Sequence, residues 1–154
     1  MKKFYFLALA IVFFMAVQTD SQAQNLEALE LGIRLNIDDS SPFDAAFDAV
    51  YNVSNANRFH ANLGIGDGGL GADLIYDWVF TFNGDGRLIL YPGVGASLYF
   101  LSDDVVLGVT GELGLEYRFD IPLSLGIDYR PTFTILPDTD LGTNSVGLNL
   151  RWRF

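Results

Sequence analysis

The segment SVGLNLRWRF, Ser145–Phe154, alternates without a break: Val146, Leu148, Leu150, Trp152 and Phe154 fall on one face, and Gly147, Asn149, Arg151 and Arg153 on the other. Successive side chains of a β-strand point to opposite faces, so the segment reads as a strand with one apolar side and one side of glycine, amide and arginine. The same period of two runs backwards through the chain. Apolar rows occur at Leu29–Leu35, Phe43–Val53, Phe59–Ile65, Leu70–Phe82, Leu88–Phe100, Leu107–Phe119 and Leu123–Ile135, and no helical stripe of useful length interrupts them. With the C-terminal segment this makes eight strands.

Turn-forming residues stand between the rows, at Asp38–Pro42, Ser54–Asn57, Asp67–Gly69, Asn83–Gly86, Leu101–Asp104, Asp120–Pro122 and Pro137–Gly142. Asn, Asp, Gly and Pro tolerate or preset turn geometry, so short connections of this kind predict an up-and-down antiparallel meander. An even number of strands lets the first pair antiparallel with the last and removes both edges.

Alternation alone does not say which face points inward. A soluble barrel fills its inside with bulky apolar groups and carries mixed charge, including lysine, outside. This chain has no lysine after Lys3. Its polar rows hold many glycines instead (Gly32, Gly64, Gly66, Gly71, Gly93, Gly95, Gly108, Gly114, Gly126 and Gly147). Glycine weakens a strand, and it is useful where side chains crowd a narrow lumen. Aromatic residues cluster at one set of strand ends (Tyr51, Phe59, Phe80, Phe82, Tyr117, Phe119, Trp152, Phe154), with Phe43, Phe100 and Phe133 expected to serve the opposite rim. Two aromatic girdles about an apolar band about 25 Å tall belong to a membrane barrel.

The N-terminus supports export. Lys2 and Lys3 precede an apolar run from Phe4 to Val17, followed by a small-residue exit at Ser21, Gln22 and Ala23. This pattern reads as a signal peptide over residues 1–23, and the run is shorter than the roughly 20 apolar residues of a spanning helix. Residues 24–154 then form a single barrel domain. The chain contains no cysteine, which excludes disulfides, cysteine-based zinc sites and a lipid-modified N-terminal cysteine.

With its terminal Trp152 and Phe154 strand, the chain resembles the small eight-stranded bacterial outer-membrane β-barrels of the OmpA-like and OmpX-like type, from Ala28 to Phe154. The resemblance implies an all-β, eight-stranded antiparallel up-and-down transmembrane β-barrel in a Gram-negative outer membrane. It also implies contact with outer-membrane lipid and lipopolysaccharide, and a final strand that the barrel-assembly machinery reads during insertion. The loops here are short, which argues against the adhesin or receptor roles that long loops carry. No cell-wall-binding domain follows Phe154, so a tether of that kind is not expected.

Cleavage would remove Lys2, Lys3 and Asp20 and take the net charge from −10 to about −11. Part of the excess lies in loops, at Asp38, Asp39, Asp67, Asp103, Asp104, Asp138 and Asp140. That rim disfavours nucleic acid and can meet lipopolysaccharide through divalent cations, although its acids lack the spacing of a calcium loop. Parity places the rest inside: Glu30, Asp44, Asp48, Asp73, Asp77, Glu112, Glu116 and Asp128, opposed by Arg34, Arg118, Arg130, Arg151, Arg153 and His60. Hairpin registry sets His60 opposite Asp77 and Glu112 opposite Arg130. Arg151 and Arg153 are expected to face Glu30 across the closure and Asp128 across the last hairpin. A bulge or bend is expected at Pro92, which has no ladder donor.

No catalytic, cofactor-binding or metal-binding set emerges from the sequence. His60 is the single histidine, and Ser97 and Ser124 lie on distant strands, so a hydroxyl nucleophile with its base is not assembled. Gly64–Gly71 lacks the lysine and helix of a phosphate loop. The expectation is therefore a non-enzymatic barrel with a structural or interaction role, with or without a further membrane partner, its lumen plugged by its own charges. A narrow cation-preferring pore and a soluble periplasmic barrel holding an apolar ligand are the alternatives. Expression in a Gram-negative host should yield a mature chain beginning at Gln24; intact-mass spectrometry showing an uncleaved Met1 form in the membrane would refute the signal-peptide reading.

Overall fold

The computed structural model describes residues 28–37, 43–66, 69–82, 84, 86–101, 104–137 and 139–154. The segment read as a signal peptide and the acids Asp38, Asp39, Asp67, Asp103 and Asp138 lie outside these residues. The strands are β1 (Leu29–Asn36), β2 (Ala45–Ser54), β3 (Asn57–Gly66), β4 (Gly69–Trp78), β5 (Phe80–Thr81), β6 (Leu88–Leu101), β7 (Val105–Arg118), β8 (Leu123–Leu136) and β9 (Asp140–Arg153). All pairings are antiparallel, in the order β4-β3-β2-β1-β9-β8-β7-β6-β5, and β4 also pairs with β6. That last pairing closes the sheet into a barrel.

β4 and β5 are two pieces of one barrel strand, because both pair with β6 in a single register: Asp77 faces Gly93, and Phe80 faces Leu90. Eight staves result, as the alternation predicts. The gap between the pieces lies opposite Tyr91 and Pro92, where proline has no N–H to offer. At Pro92, where a bulge or bend is expected, there is no register shift, since Pro92 pairs regularly with Leu113, and the irregularity is the break in pairing on its β4–β5 side. Register shifts occur instead near Asn52, Leu107 and Pro131. β1 closes on β9 through Glu30–Arg153, Gly32–Arg151 and Arg34–Asn149.

The faces follow the parity reading. Ile33, Phe47, Leu63, Leu74, Val94, Val109, Leu113, Leu125, Ile127, Leu148 and Leu150 are exposed on the outside, whereas most fully buried side chains are polar or charged. The barrel is apolar outside and polar inside. Its buried apolar cluster is small: Val79, Ile89 and Tyr91. Aromatics girdle the end that holds Leu29 and Phe154, with Phe59 against Tyr76 at 5.3 Å, Tyr76 against Trp78 at 5.6 Å and Tyr117 against Phe119 at 5.1 Å between ring centroids.

One outward assignment is overturned. Phe43 is 6 % exposed and lies inside the far mouth, with its ring 6.0 Å from that of Tyr99. It precedes the first paired residue of β2, so the strand's parity does not bind it. Gly64 and Gly71, paired across β3 and β4, make its seat, since a Cβ on either would meet the Phe43 ring. Likewise Gly147 lies under the Arg34 guanidinium and Gly114 under the ring of Tyr91. The lumen glycines are thus places where a neighbour's bulk replaces a missing side chain.

Gly114→Val should push a side chain into the Tyr91 ring and lower stability by about 1–3 kcal/mol, the usual cost of overpacking. Tyr91→Leu in the same background should recover part of that loss. Gly84→Ala is the control, because nothing lies within 4 Å of a Cβ built there. Denaturant midpoints in detergent, followed by Trp fluorescence, would check all three.

Candidate functional site

The chemistry-bearing residues converge in the lumen. β3 contributes Arg58 and His60, β9 contributes Arg151, and β7 contributes Glu112, Glu116 and Arg118; alternation turns each of these inward. Arg58 donates from Nε to Asp77 Oδ2 at 3.0 Å and from Nη1 to Glu116 Oε2 at 2.9 Å. Arg151 donates to the same Glu116 oxygen at 2.8 Å and to Asp48 Oδ2 at 2.6 Å. Arg118 holds Glu116 Oε1 at 2.8 Å and also pairs with Glu30. Glu30 accepts further bonds from Asn52 at 3.1 Å and Ser124 at 3.2 Å. Tyr91 lies beneath this group, its ring centroid 4.1 Å from the Arg58 guanidinium carbon, a cation–π contact out of water.

Nearer the far end, Arg130 donates to Glu112 Oε1 at 2.8 Å and pairs with Asn62 Oδ1. Arg34 holds Asp128 Oδ1 at 2.6 Å, and Asn149 donates to the other Asp128 oxygen at 2.7 Å. Tyr99 donates to Asp73 at 2.9 Å. A hydroxyl ladder, Ser97–Thr110–Thr132, crosses three neighbouring strands. A cavity of about 30 Å³ lies among these groups, bounded by Phe43, Asn62, Asp73, Tyr99 and Arg130. By the same measure one water occupies roughly 10–15 Å³, so the space suits two or three waters and no organic ligand.

The expected lumen set is largely brought together. Glu112 meets Arg130, as registry predicts. Two members stand apart: the Asp44 side chain is exposed at the far mouth, and Arg153 is half-exposed, donating to the carbonyls of Phe119 at 3.0 Å and Ile121 at 2.8 Å. Arg153 pairs in register with Glu30, but its side chain serves the turn between β7 and β8. Asp128 faces Gly147 across the last hairpin and takes Arg34 as its partner, while Arg151 reaches Asp48 and Glu116. His60 faces Ile75 rather than Asp77, because Gly66 pairs with Gly69, one same-face step from the expected register.

Arg58, absent from the expected set, is one of the largest fully buried side chains in the barrel. Its signal is in the sequence, since it shares parity with His60 and Asn62. It also follows the turn residues Ser54–Asn57, and that neighbourhood hides it. Asp77, Glu112 and His60 approach closely enough that one donor atom from each lies within 4.8 Å of the others. Comparison with protein-family models, curated proteins and solved structures finds no match for the chain.

Removing one partner of a buried ion pair typically costs about 3–5 kcal/mol, because the remaining charge is stranded. Arg58→Met, which strands Asp77 and shares out Glu116, should fall in that range. Arg153→Met, at a half-exposed group, should cost about 1 kcal/mol or less. Equal denaturant midpoints for the two variants would contradict the assigned lumen network.

Proposed function

We propose that this protein is a small outer-membrane β-barrel with a plugged lumen and a structural or interaction role in the envelope. The observation that carries the reading is the inverted distribution of side chains, with a continuous apolar exterior around a charged interior. A closed sheet has no edge to leave unsatisfied in hydrocarbon, and strands of 8 to 14 residues match the roughly 9–11 that a bilayer requires. The aromatic girdle at one end agrees with a membrane interface. The signal-like N-terminus and the terminal Phe154 strand point to the same compartment.

The plug reading rests on packing. Arg58, Arg151, Tyr91, His60, Glu30 and Glu116 fill the middle of the barrel with essentially no exposed surface. Eight strands leave an interior just wide enough for side chains, and these take the space a water column would need. Work for such a protein falls to its exterior and rims, where lipid, lipopolysaccharide or another membrane component makes contact.

Detergent-extracted outer membranes should give a band that migrates faster unheated than heated, and the folded band should show no conductance in planar bilayers. Discrete cation-selective steps would replace the plug with a pore. Solubility without detergent would overturn the membrane assignment.

A further inference from the structure

Register places Arg58, Asp77, Gly93 and Glu112 in one row across β3, β4, β6 and β7. Gly93 carries no side chain, so the carboxyl groups on either side of it reach over the same spot. Asp77 Oδ1 hangs directly above Gly93, where a Cβ would collide with it. His60 enters from β3 one step along, with Nδ1 3.0 Å from Glu112 Oε2 and 3.6 Å from Asp77 Oδ2.

The surrounding groups leave one donor atom of each residue pointing inward. Arg130 holds Glu112 Oε1 at 2.7 Å, which leaves Oε2 facing the imidazole, although its Nη2 also lies 3.3 Å from Nδ1. Arg58 holds Asp77 Oδ2, and the fully buried Asp77 Oδ1 has no hydrogen-bond partner. His60 Nε2 lies 2.6 Å from Asp48 Oδ1, itself anchored through Oδ2 by Arg151. A carboxylate only accepts, so without an ion Nε2 donates to Asp48 and Nδ1 to Glu112; an ion seated between the two acids takes the place of the Nδ1 hydrogen, while Nε2 keeps its own. A ligating histidine ordinarily gives its other N–H to a carboxylate in this way.

We propose that His60, Asp77 and Glu112 form a buried site for one divalent ion of the zinc class. One imidazole nitrogen and two carboxylate oxygens suit such an ion: Nδ1 lies 3.0 Å from Glu112 Oε2 and 3.6 Å from the Arg58-held Oδ2 of Asp77, spacings close to the edge of a tetrahedron with metal bonds of about 2.0–2.1 Å, and the same Asp77 carboxylate has its other oxygen, Oδ1, unpartnered. Charge agrees. Among the described residues the lumen holds seven acids (Glu30, Asp48, Asp73, Asp77, Glu112, Glu116, Asp128) and five arginines (Arg34, Arg58, Arg118, Arg130, Arg151), and once an ion replaces the Nδ1 hydrogen His60 adds no charge, which leaves two negative charges in excess. One divalent ion cancels both, whereas a proton on His60 cancels one. The ion ties β3, β4 and β7 together across the lumen.

The test is zinc analysis of the folded barrel, refolded with Zn²⁺ in detergent and then desalted. One zinc per barrel, lost in Asp77→Asn and accompanied by a fall in the unfolding midpoint on chelation, is the expected result. Substoichiometric zinc in the wild-type barrel overturns the site, as does zinc that persists in folded Asp77→Asn, which would place the ion on the acidic loops. If Asp77→Asn does not fold, Co²⁺ loading of the wild type decides: intense visible bands of a four-coordinate ion support the site, and the weak absorption of a six-coordinate hydrated ion overturns it.

Discussion

Two guanidinium groups, Arg58 and Arg151, converge on a single oxygen of Glu116 in the middle of the barrel, at 2.9 and 2.8 Å, with essentially no surface in water. Charges removed from water cost several kcal/mol each unless every donor and acceptor finds a partner. The rest of the interior follows from that requirement. Asp77 from β4 accepts from Arg58 Nε and Asp48 from β2 accepts from Arg151 Nε, and Arg118 takes the second oxygen of Glu116; the Arg58 Nη2 is left without a hydrogen bond. A slip of one residue in any of these strands would turn its charge to the apolar exterior, so the network also fixes register and closure.

Space imposes the second condition. An eight-stranded lumen admits few large groups, and among the described residues this one holds five arginines and the rings of Phe43, Tyr91 and Tyr99. Glycine makes the room: Gly114 lies under Tyr91, Gly147 under Arg34, and Gly64 and Gly71 under Phe43. Each such glycine weakens its own strand. The return is a dense interior in which hydrophobic burial has a minor part, since the buried apolar cluster is limited to Val79, Ile89 and Tyr91. In the proposed bilayer setting the exterior rows meet lipid instead, and the usual division between core and surface is reversed.

Facing was legible in the sequence because period two spells it out residue by residue. Beyond Phe43, which lies just outside the paired length of β2, the outward rows hold through all eight staves. Depth across the lumen was not legible. Arg34 and Asp128 are separated by 94 residues, and Arg118 and Glu30 by 88; parity puts each inside without saying which of several opposite charges it will meet. Hairpin counting recovers neighbours only as well as the turn centre is known. It succeeds for Glu112 and Arg130, and it misses by one same-face step for His60 and Asp77 because Gly69, counted as a turn residue, is instead paired in β4 with Gly66. Arg58 shows a different limit, since a strand's first inward residue looks like part of the turn before it.

The network is also uneven along the barrel axis, and that asymmetry bears on what the protein can do. Toward the end holding Leu29 and Phe154, ion pairs share atoms. Toward the far mouth, the partners are a hydroxyl ladder, amides, single ion pairs and a water-sized cavity under Phe43. Passage through the barrel would therefore require breaking the Arg58–Glu116–Arg151 clamp, whereas the far half is held by hydroxyls, amides and fewer shared charges. Under the proposed structural or interaction role this asymmetry is sufficient, because the clamp alone keeps the barrel closed whatever its exterior meets.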